Sequence, residues 1–343
     1  MDYSLDKLVK AGFRPSNLPP KTFSEKRRHQ AHVETVLAEN GSRASSVLIA
    51  RDAERRALEA LWRTELMTRP ELELTDQMKR LWAEYGLPSQ FVRSVLWPWI
   101  CVGESGGSDA TVSITATSFS SLIELDVRRT LPFLGYLNDS EKSRKCLDLL
   151  GRFASIYPEI GYTQGMSYIA VRIMMEVNWE TSKARRCLER ILIQSPTVVC
   201  MYSLDLDRIK ESVGFILDSM AWENVSDVWK LFRDIKFQPV EWFFLEWGLT
   251  MFVKNFSLKI SAFVLDVFFL EGDVVLFKAA IAALMLVQDQ LLLEGVDVEN
   301  IRGIMGKIGD YIVDSDVFIK TFHEVVVSEA LHRIIDSRVL FIT

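Results

Sequence analysis

The sequence has little cysteine and little histidine. Its 343 residues include four of each, and no two cysteines form a C-x-x-C pair. So few cysteines cannot hold a fold together by disulfides, and they predict buried thiols in a reducing compartment. The four are Cys101, Cys146, Cys187 and Cys200. His29 and His32 are three residues apart, but such a pair does not make a metal site, so we expect surface histidines and no bound metal.

Long apolar runs and a leader peptide are also lacking. The first ten residues are charged and amphipathic, with no apolar core or cleavage site. The richest apolar window, 279–287, is followed by Gln288, Asp289 and Gln290, which predicts a buried helix rather than a membrane span. We therefore expect a soluble, cytoplasmic protein that is at most peripherally associated with endomembranes.

Two classes of ligand are disfavoured. The net charge of -6 at pH 7 argues against nucleic acid, which requires a basic surface. The glycine-rich stretch Gly103–Gly107 lacks the Gly-Lys-Ser/Thr ending of a P-loop, so we expect no nucleotide site within the chain itself. Any phosphate chemistry would then act on a nucleotide held by another protein.

Apolar residues recur at helical spacing almost throughout, and no stretch shows the period-two alternation of a strand. The sequence therefore predicts an all-α, multi-helix array without significant sheet. Thr22 and Glu25 form a candidate capping box, and a second helix is expected from Val47 to Leu66. Thr75 can cap a short helix that Gly86 ends.

Further along the chain, breaks are expected at prolines and glycines. Pro98 should bend or end a helix whose apolar positions are Phe91, Val92, Val95, Leu96 and Trp99. The stretch 103–118 reads as a long exposed loop, and 14–20 reads as a linker. Later helix breaks are predicted near Pro158, Pro196, Pro239 and Gly272.

Charge divides the chain into two parts. Residues 1–80 hold 15 basic and 12 acidic side chains, a balance of +3, whereas 81–343 hold 25 and 34, a balance of -9. We interpret 1–80 as a charged helical segment, either packed on the main domain or separate from it. The remainder, 81–343, is expected to form that main domain.

Three short patterns occur in order within 81–343. They are Arg93–Trp97 (RSVLW), Ile123–Arg129 (IELDVRR) and Tyr162–Met166 (YTQGM). In this order they resemble the TBC domain, the catalytic domain of Rab GTPase-activating proteins, whose signatures are R-x-x-x-W, I-x-x-D-x-x-R and Y-x-Q-G-M. The resemblance covers about residues 86–293. It departs from the family at Leu265–Asp266, where a Trp-Asp pair is usual, and at Leu131, where an aromatic residue is common.

The resemblance implies that Arg129 is an arginine finger inserted in trans beside the nucleotide of a partner GTPase. A guanidinium supplies fixed, forked donors to the charge that develops during GTP hydrolysis. Asp126, three residues earlier on the same helical face, can orient it. Arg128 lies on another face of the helix and is the alternative. The partner would be a Rab-family GTPase in its GTP form, acting in vesicle trafficking and bringing its own GTP and Mg²⁺.

The second implied residue is Gln164, because an amide side chain can both accept from and donate to one water molecule. Gly165 beside it allows a close backbone approach that a Cβ would block. Tyr162 reads as a supporting core residue. Arg93 and Trp97 read as structural, with Trp97 in the core and Arg93 as a buried charge that requires a carboxylate, for which Asp126 is a candidate.

Other interpretations remain open. Asp126 and Arg129 could form an ordinary helical pair worth about 0.3 kcal/mol, and Gln164 could be a polar residue of a first turn. The protein could be a non-catalytic TBC-like scaffold that binds a GTPase or an adaptor protein. It could also be a helical interaction module whose motifs are coincidental, in which case Arg129 and Gln164 need not share a surface.

Overall fold

The computed structural model describes residues 51–67, 74–101, 119–132, 139–293 and 296–337. Within these ranges the regular structure is helical and no strand occurs, which confirms the all-α prediction. The predicted helix from Thr22, the linker 14–20, the loop 103–118 and the pair His29 and His32 lie outside these ranges.

The chain separates into two compact units, Met1–Thr68 and Arg69–Thr343. In the first unit, 51–67 form a helix, in agreement with the helix predicted over Val47–Leu66 as far as that part is described. The expected boundary at residue 80 lies within a helix of the second unit, Asp76–Tyr85.

The helices of the second unit are numbered here in chain order. Its first part contains α1 (Asp76–Tyr85), α2 (Gln90–Ile100), α3 (Ser120–Arg129), α4 (Ser140–Ile156), α5 (Met166–Glu176), α6 (Thr181–Gln194), α7 (Pro196–Tyr202), α8 (Leu206–Ile209) and α9 (Phe215–Asn224). Its second part contains α10 (Ser226–Asp234), α11 (Pro239–Trp242), α12 (Leu258–Glu271), α13 (Val274–Leu291), α14 (Val298–Gly306), α15 (Ile308–Tyr311), α16 (Ser315–Glu324) and α17 (Glu329–Ser337). A π-helical turn, Lys210–Gly214, joins α8 to α9.

Several helix ends follow from single residues that the sequence marks. The Thr75 side chain accepts a hydrogen bond from the Met78 amide at 3.3 Å and begins α1. Gly86, with φ +70°, ends it, as an L-residue rarely would. Pro196 and Pro239 begin helices, where their missing N–H is not needed, and Gly272 ends α12.

Of the two outcomes expected at Pro98, a bend or an end of the helix, the second does not occur. Helix α2 continues through Pro98 to Ile100, so the proline does not end it. Two residues of the predicted apolar stripe, Val92 and Leu96, are buried, but Phe91 and Val95 are exposed and Ser94 is buried instead.

The core of the second unit surrounds α13, which packs against α9, α12 and α16. Helix α13 has 18 residues and a mean hydropathy of 1.7, so by length and composition it could cross a membrane, but 67% of it is buried inside the fold. It is the only helix of that kind among the described residues.

Helix α13 also carries a half-buried lysine, Lys278. Burial lowers the pKa of Lys278, although the charge of Glu271 opposes this shift, and the ammonium lies 4.3 Å from the ring centroid of Phe322.

The four cysteines are free and buried, as predicted. Burial raises the pKa of Cys146 to about 12, so this thiol stays protonated at neutral pH.

A fully buried carboxylate, Asp266 of α12, joins the elements around α2. It accepts hydrogen bonds from Arg93 Nε at 2.9 Å and from Trp97 Nε1 at 2.8 Å. Arg93 Nη2 and the Leu87 amide also donate to it, each at 2.9 Å. The suggestion that Asp126 is the partner of Arg93 was therefore wrong. Asp266, 173 residues away in sequence, takes that place, and Glu176 lies 3.7 Å from Arg93 Nη1.

The charge of Arg93 is maintained by this arrangement. Burial alone lowers its pKa, but the charges of Asp266 and Glu176 outweigh that effect and leave the pKa raised. Arg93 and Trp97 therefore act in the scaffold, as the sequence indicated.

We expect Asp266→Ala to lower the free energy of unfolding by about 3–5 kcal/mol, because it leaves the Arg93 charge buried without its main partner. The matched control is Asp316→Ala, which removes a partly exposed carboxylate 2.8 Å from Lys259 and should cost less than about 1 kcal/mol. Urea unfolding followed by circular dichroism measures both. Equal losses in the two variants would contradict the central place of Asp266.

Candidate functional site

Arg129 lies in the last turn of α3, where a cation is favoured by the partial negative charge of the helix end. Its side chain is 49% exposed, and its Nη2 donates to Asp126 Oδ1 at 2.5 Å. One end of the guanidinium is thus held while the rest stays accessible. Arg128 is mostly exposed and pairs with Glu124 instead, which separates it from this site.

Asp126 is buried and receives a second hydrogen bond from another segment. The Tyr162 hydroxyl donates to Asp126 Oδ2 at 2.7 Å. Burial raises the pKa of Tyr162, and the hydrogen bond to Asp126 and its charge raise it further, so the hydroxyl remains a donor at physiological pH. The Thr130 hydroxyl oxygen lies 2.7 Å from the Asp126 carbonyl oxygen and 2.8 Å from Ser167 Oγ.

Gln164 is exposed and stands in a turn between two glycines with positive φ. Gly161 has φ +62°, and Gly165, with φ +116°, immediately precedes α5. A Cβ on Gly165 would lie 2.8 Å from the Leu249 carbonyl oxygen, which is closer than real contacts allow. The close approach expected at Gly165 is therefore made to a neighbouring segment of the same chain.

Arg129 and Gln164 line the same groove, which has a volume of about 240 Å³. We call the side formed by α3 and the start of α5 the first wall; it contributes Asp126, Arg129, Gln164, Gly165, Ser167 and Tyr168. The second wall consists of Leu245, Leu249, Thr250 and Lys254. The structure thus brings together two side chains that the sequence singled out from separate motifs.

The second wall was not foreseen from sequence. After α11 the backbone forms a π-helical turn, Phe243–Trp247, and a 3₁₀ turn, Gly248–Thr250. Met251 and Phe252 follow with φ of 47° and 64°, a conformation that costs roughly 1–3 kcal/mol per non-glycine residue. The aromatic-rich sequence here indicates core packing and contains no motif for such an irregular segment.

Packing holds this segment in place. The side chains of Met251 and Phe252 are fully buried, and Trp247 packs edge-on against Phe256. The Tyr202 hydroxyl donates to the Leu249 carbonyl at 2.5 Å. The backbone of the second wall is therefore anchored in the core on both sides of Leu249.

The polar side chains of the groove have groups that can bind an oxyanion or a water molecule. It presents one half-exposed guanidinium and one exposed carboxamide, and its lining includes no histidine or cysteine. The described part of the chain contains no group of three or more His, Cys, Asp or Glu side chains that could hold a metal ion.

Most of the chain is similar in sequence to known proteins. A family model described as the Rab-GTPase-TBC domain matches residues 91–292, a range that includes all three motifs. TBC1 domain family member 12 of Mus musculus is 24% identical over 89% of this chain and 48% of its own length. TBC1 domain family member 14 of Bos taurus is 25% identical over 81% of this chain and 45% of its own length. The chain thus spans about half the length of these relatives.

A solved structure shares the fold. The Chlamydomonas flagellar RabGAP TBC domain superposes with a TM-score of 0.65 at 16% identity, covering 81% of this chain and 96% of the other. The Rab-GTPase-TBC family model matches more than half of the chain. The chain belongs to the Rab-GTPase-TBC domain family.

Proposed function

We propose that this protein is a GTPase-activating protein for a Rab-type GTPase, acting in trans through Arg129 and Gln164. The observation that supports it most directly is that both side chains line one groove, with Arg129 already oriented by a buried carboxylate. Their places on α3 and before α5 make them reachable together by a single partner.

In this proposal Arg129 neutralises charge on the partner's nucleotide. Hydrolysis of GTP spreads negative charge over the phosphoryl oxygens, and an arginine supplied in trans is worth about 10³–10⁵ in rate. The hydrogen bond to Asp126 restricts the guanidinium before the partner arrives, so less side-chain entropy is lost on binding.

Gln164 would position the attacking water. Its carbonyl oxygen can accept a hydrogen bond from the water while its NH₂ group donates one to the same water, so the water is held in line with the bond that breaks. The turn between Gly161 and Gly165 presents this side chain to solvent, in the same groove as Arg129.

GTP and Mg²⁺ would be brought by the partner in its GTP form, so this chain would need no cofactor of its own. We further propose that the protein works in the cytoplasm, at most peripherally on endomembranes, where membrane-bound Rab proteins are accessible to it.

We expect Arg129→Ala to lower the stimulated hydrolysis rate by about 10³-fold without unfolding the protein, because the side chain is half exposed. Arg129→Lys should restore little of that rate, since an ammonium lacks the forked donors. Arg128→Ala is the matched control and should retain wild-type stimulation. Single-turnover GTP hydrolysis by a panel of GTP-loaded Rab proteins measures all three.

Two results would oppose this assignment. Undiminished stimulation of GTP hydrolysis by the Arg129→Ala variant would show that Arg129 is not an arginine finger. Binding of GTP-loaded Rab without any rate increase by the wild-type protein would instead favour a non-catalytic scaffold.

For Gln164→Ala we expect a rate reduction of about 10²-fold, because the attacking water loses its positioning group. Gln288→Ala, at an exposed position of α13, is the control and should leave the rate unchanged. The same single-turnover assay applies. A wild-type rate in Gln164→Ala would show that the partner's own residues hold the water.

Tyr162→Phe tests the positioning of Arg129. We expect a rate reduction of about tenfold with a stability loss of about 1 kcal/mol, because one hydrogen bond to Asp126 is lost while the ring is kept. In an Arg129→Ala background the same change should have no further effect on rate, because Tyr162 acts through Arg129. Equal effects in both backgrounds would show that the tyrosine acts by another route.

A further inference from the structure

The two walls of the groove differ in chemistry. The first wall includes residues of the second and third family motifs, whereas the second wall, Leu245, Leu249, Thr250 and Lys254, contains no motif residue. Any protein that reaches Arg129 and Gln164 must also meet the second wall, because all of them line one groove.

Lys254 is the charged residue of the second wall. Its Nζ lies 2.8 Å from Glu246 Oε2, and the two side chains are 40% and 30% exposed. Exposed pairs of this kind are weak, so Lys254 can exchange Glu246 for a carboxylate on a partner at little cost. The pair itself is neutral and therefore attracts anions only at short range.

Leu245 is the apolar residue of the same wall. Its side chain is 53% exposed, although it follows the buried Phe243 and Phe244. The π-helical turn rotates it toward the groove instead of into the core. A single exposed leucine is common on protein surfaces, but this one stands in a groove beside a charge pair on a fixed backbone.

The second wall does not resemble a phosphate site. The segment that forms it contains one glycine, Gly248, which is buried, so it has no glycine-rich run of exposed amides of the kind that cradle phosphates. Its cation is already paired, and an apolar side chain stands beside it. Such a mixture of charge and apolar area is characteristic of a protein–protein contact.

We propose that the second wall recognises the protein surface of the GTPase and determines which GTPase is accepted. Lys254 would pair with an acidic side chain of the partner, and Leu245 would cover an apolar side chain next to it. This inference rests on the proposed function, and it divides the groove into one wall for catalysis and one for selection.

The test uses single-turnover hydrolysis by a panel of GTP-loaded Rab proteins, with the concentration of the activator varied. For Lys254→Glu we expect the half-saturating concentration to rise about tenfold while the rate at saturation is kept, since charges at an interface act mainly on association. Leu245→Ser should raise it about fivefold. Both variants should also change the order of preference among the Rab proteins.

The chain offers matched controls. Lys259 pairs with Asp316 at 2.8 Å, with exposures of 45% and 33%, close to those of Lys254 and Glu246, but it does not line the groove. Leu293 is 63% exposed and also lies outside the groove lining. Lys259→Glu and Leu293→Ser should leave the half-saturating concentration and the order of preference unchanged.

The outcomes separate this inference from the proposed function. If the wild-type protein stimulates no Rab protein, the proposed function fails and the inference fails with it. If the wild type is active and Lys254→Glu lowers the rate at saturation with an unchanged half-saturating concentration, Lys254 acts on the nucleotide and the selective wall is refuted. If Lys254→Glu and Leu245→Ser both keep the wild-type half-saturating concentration and order of preference, the selective role of the second wall is also refuted.

Discussion

The buried carboxylate of Asp126 is the interaction on which the groove depends. One oxygen accepts from Arg129 on its own helix, and the other accepts from Tyr162, two residues before Gln164. Burying a carboxyl oxygen without a hydrogen-bond donor is costly, so both oxygens of this buried side chain need their donors. The positions of α3 and of the turn before α5 are thereby linked through one side chain.

A second buried carboxylate, Asp266, has a different task. Its partners Arg93 and Trp97 belong to α2, and neither lines the groove. This cluster fixes the packing of α12 against α2, while Asp126 fixes the direction of a side chain that faces solvent. Arg93 of the first motif therefore belongs to the scaffold, whereas Arg129 of the second motif lies in the candidate site. The two arginines differ in burial, at 14% and 49% exposure of their side chains.

The sequence predicted what depends on local chemistry. The cap at Thr75, the end at Gly86 and the helical class follow from short-range rules of backbone conformation, and the structure confirms them. Pro98 did not end its helix, since an otherwise favourable helix can tolerate the loss of one hydrogen bond when tertiary packing supports it. The partner predicted for Arg93 was wrong because local spacing gives no information about a contact between residues 173 positions apart.

The candidate site shows the same limit. Arg129 and Gln164 were found through motifs, whereas Leu245 and Lys254 belong to a segment whose π-helical and left-handed turns depend on packing with distant residues. Apolar periodicity predicts regular helices, but it predicts nothing about segments in which the backbone departs from helical geometry. The second wall of the groove, which is formed by such a segment, could therefore not be predicted from the sequence.

The contact between Gly165 and the Leu249 carbonyl has a consequence for how this family member can diversify. There is no room for a methyl group at Gly165 beside the Leu249 carbonyl, so any other residue there would displace one wall from the other. A substitution of Gly165 would therefore also disturb the turn that carries Gln164. If the proposed function holds, partner preference can change through the side chains of the second wall while the spacing of the two backbones at Gly165 stays the same.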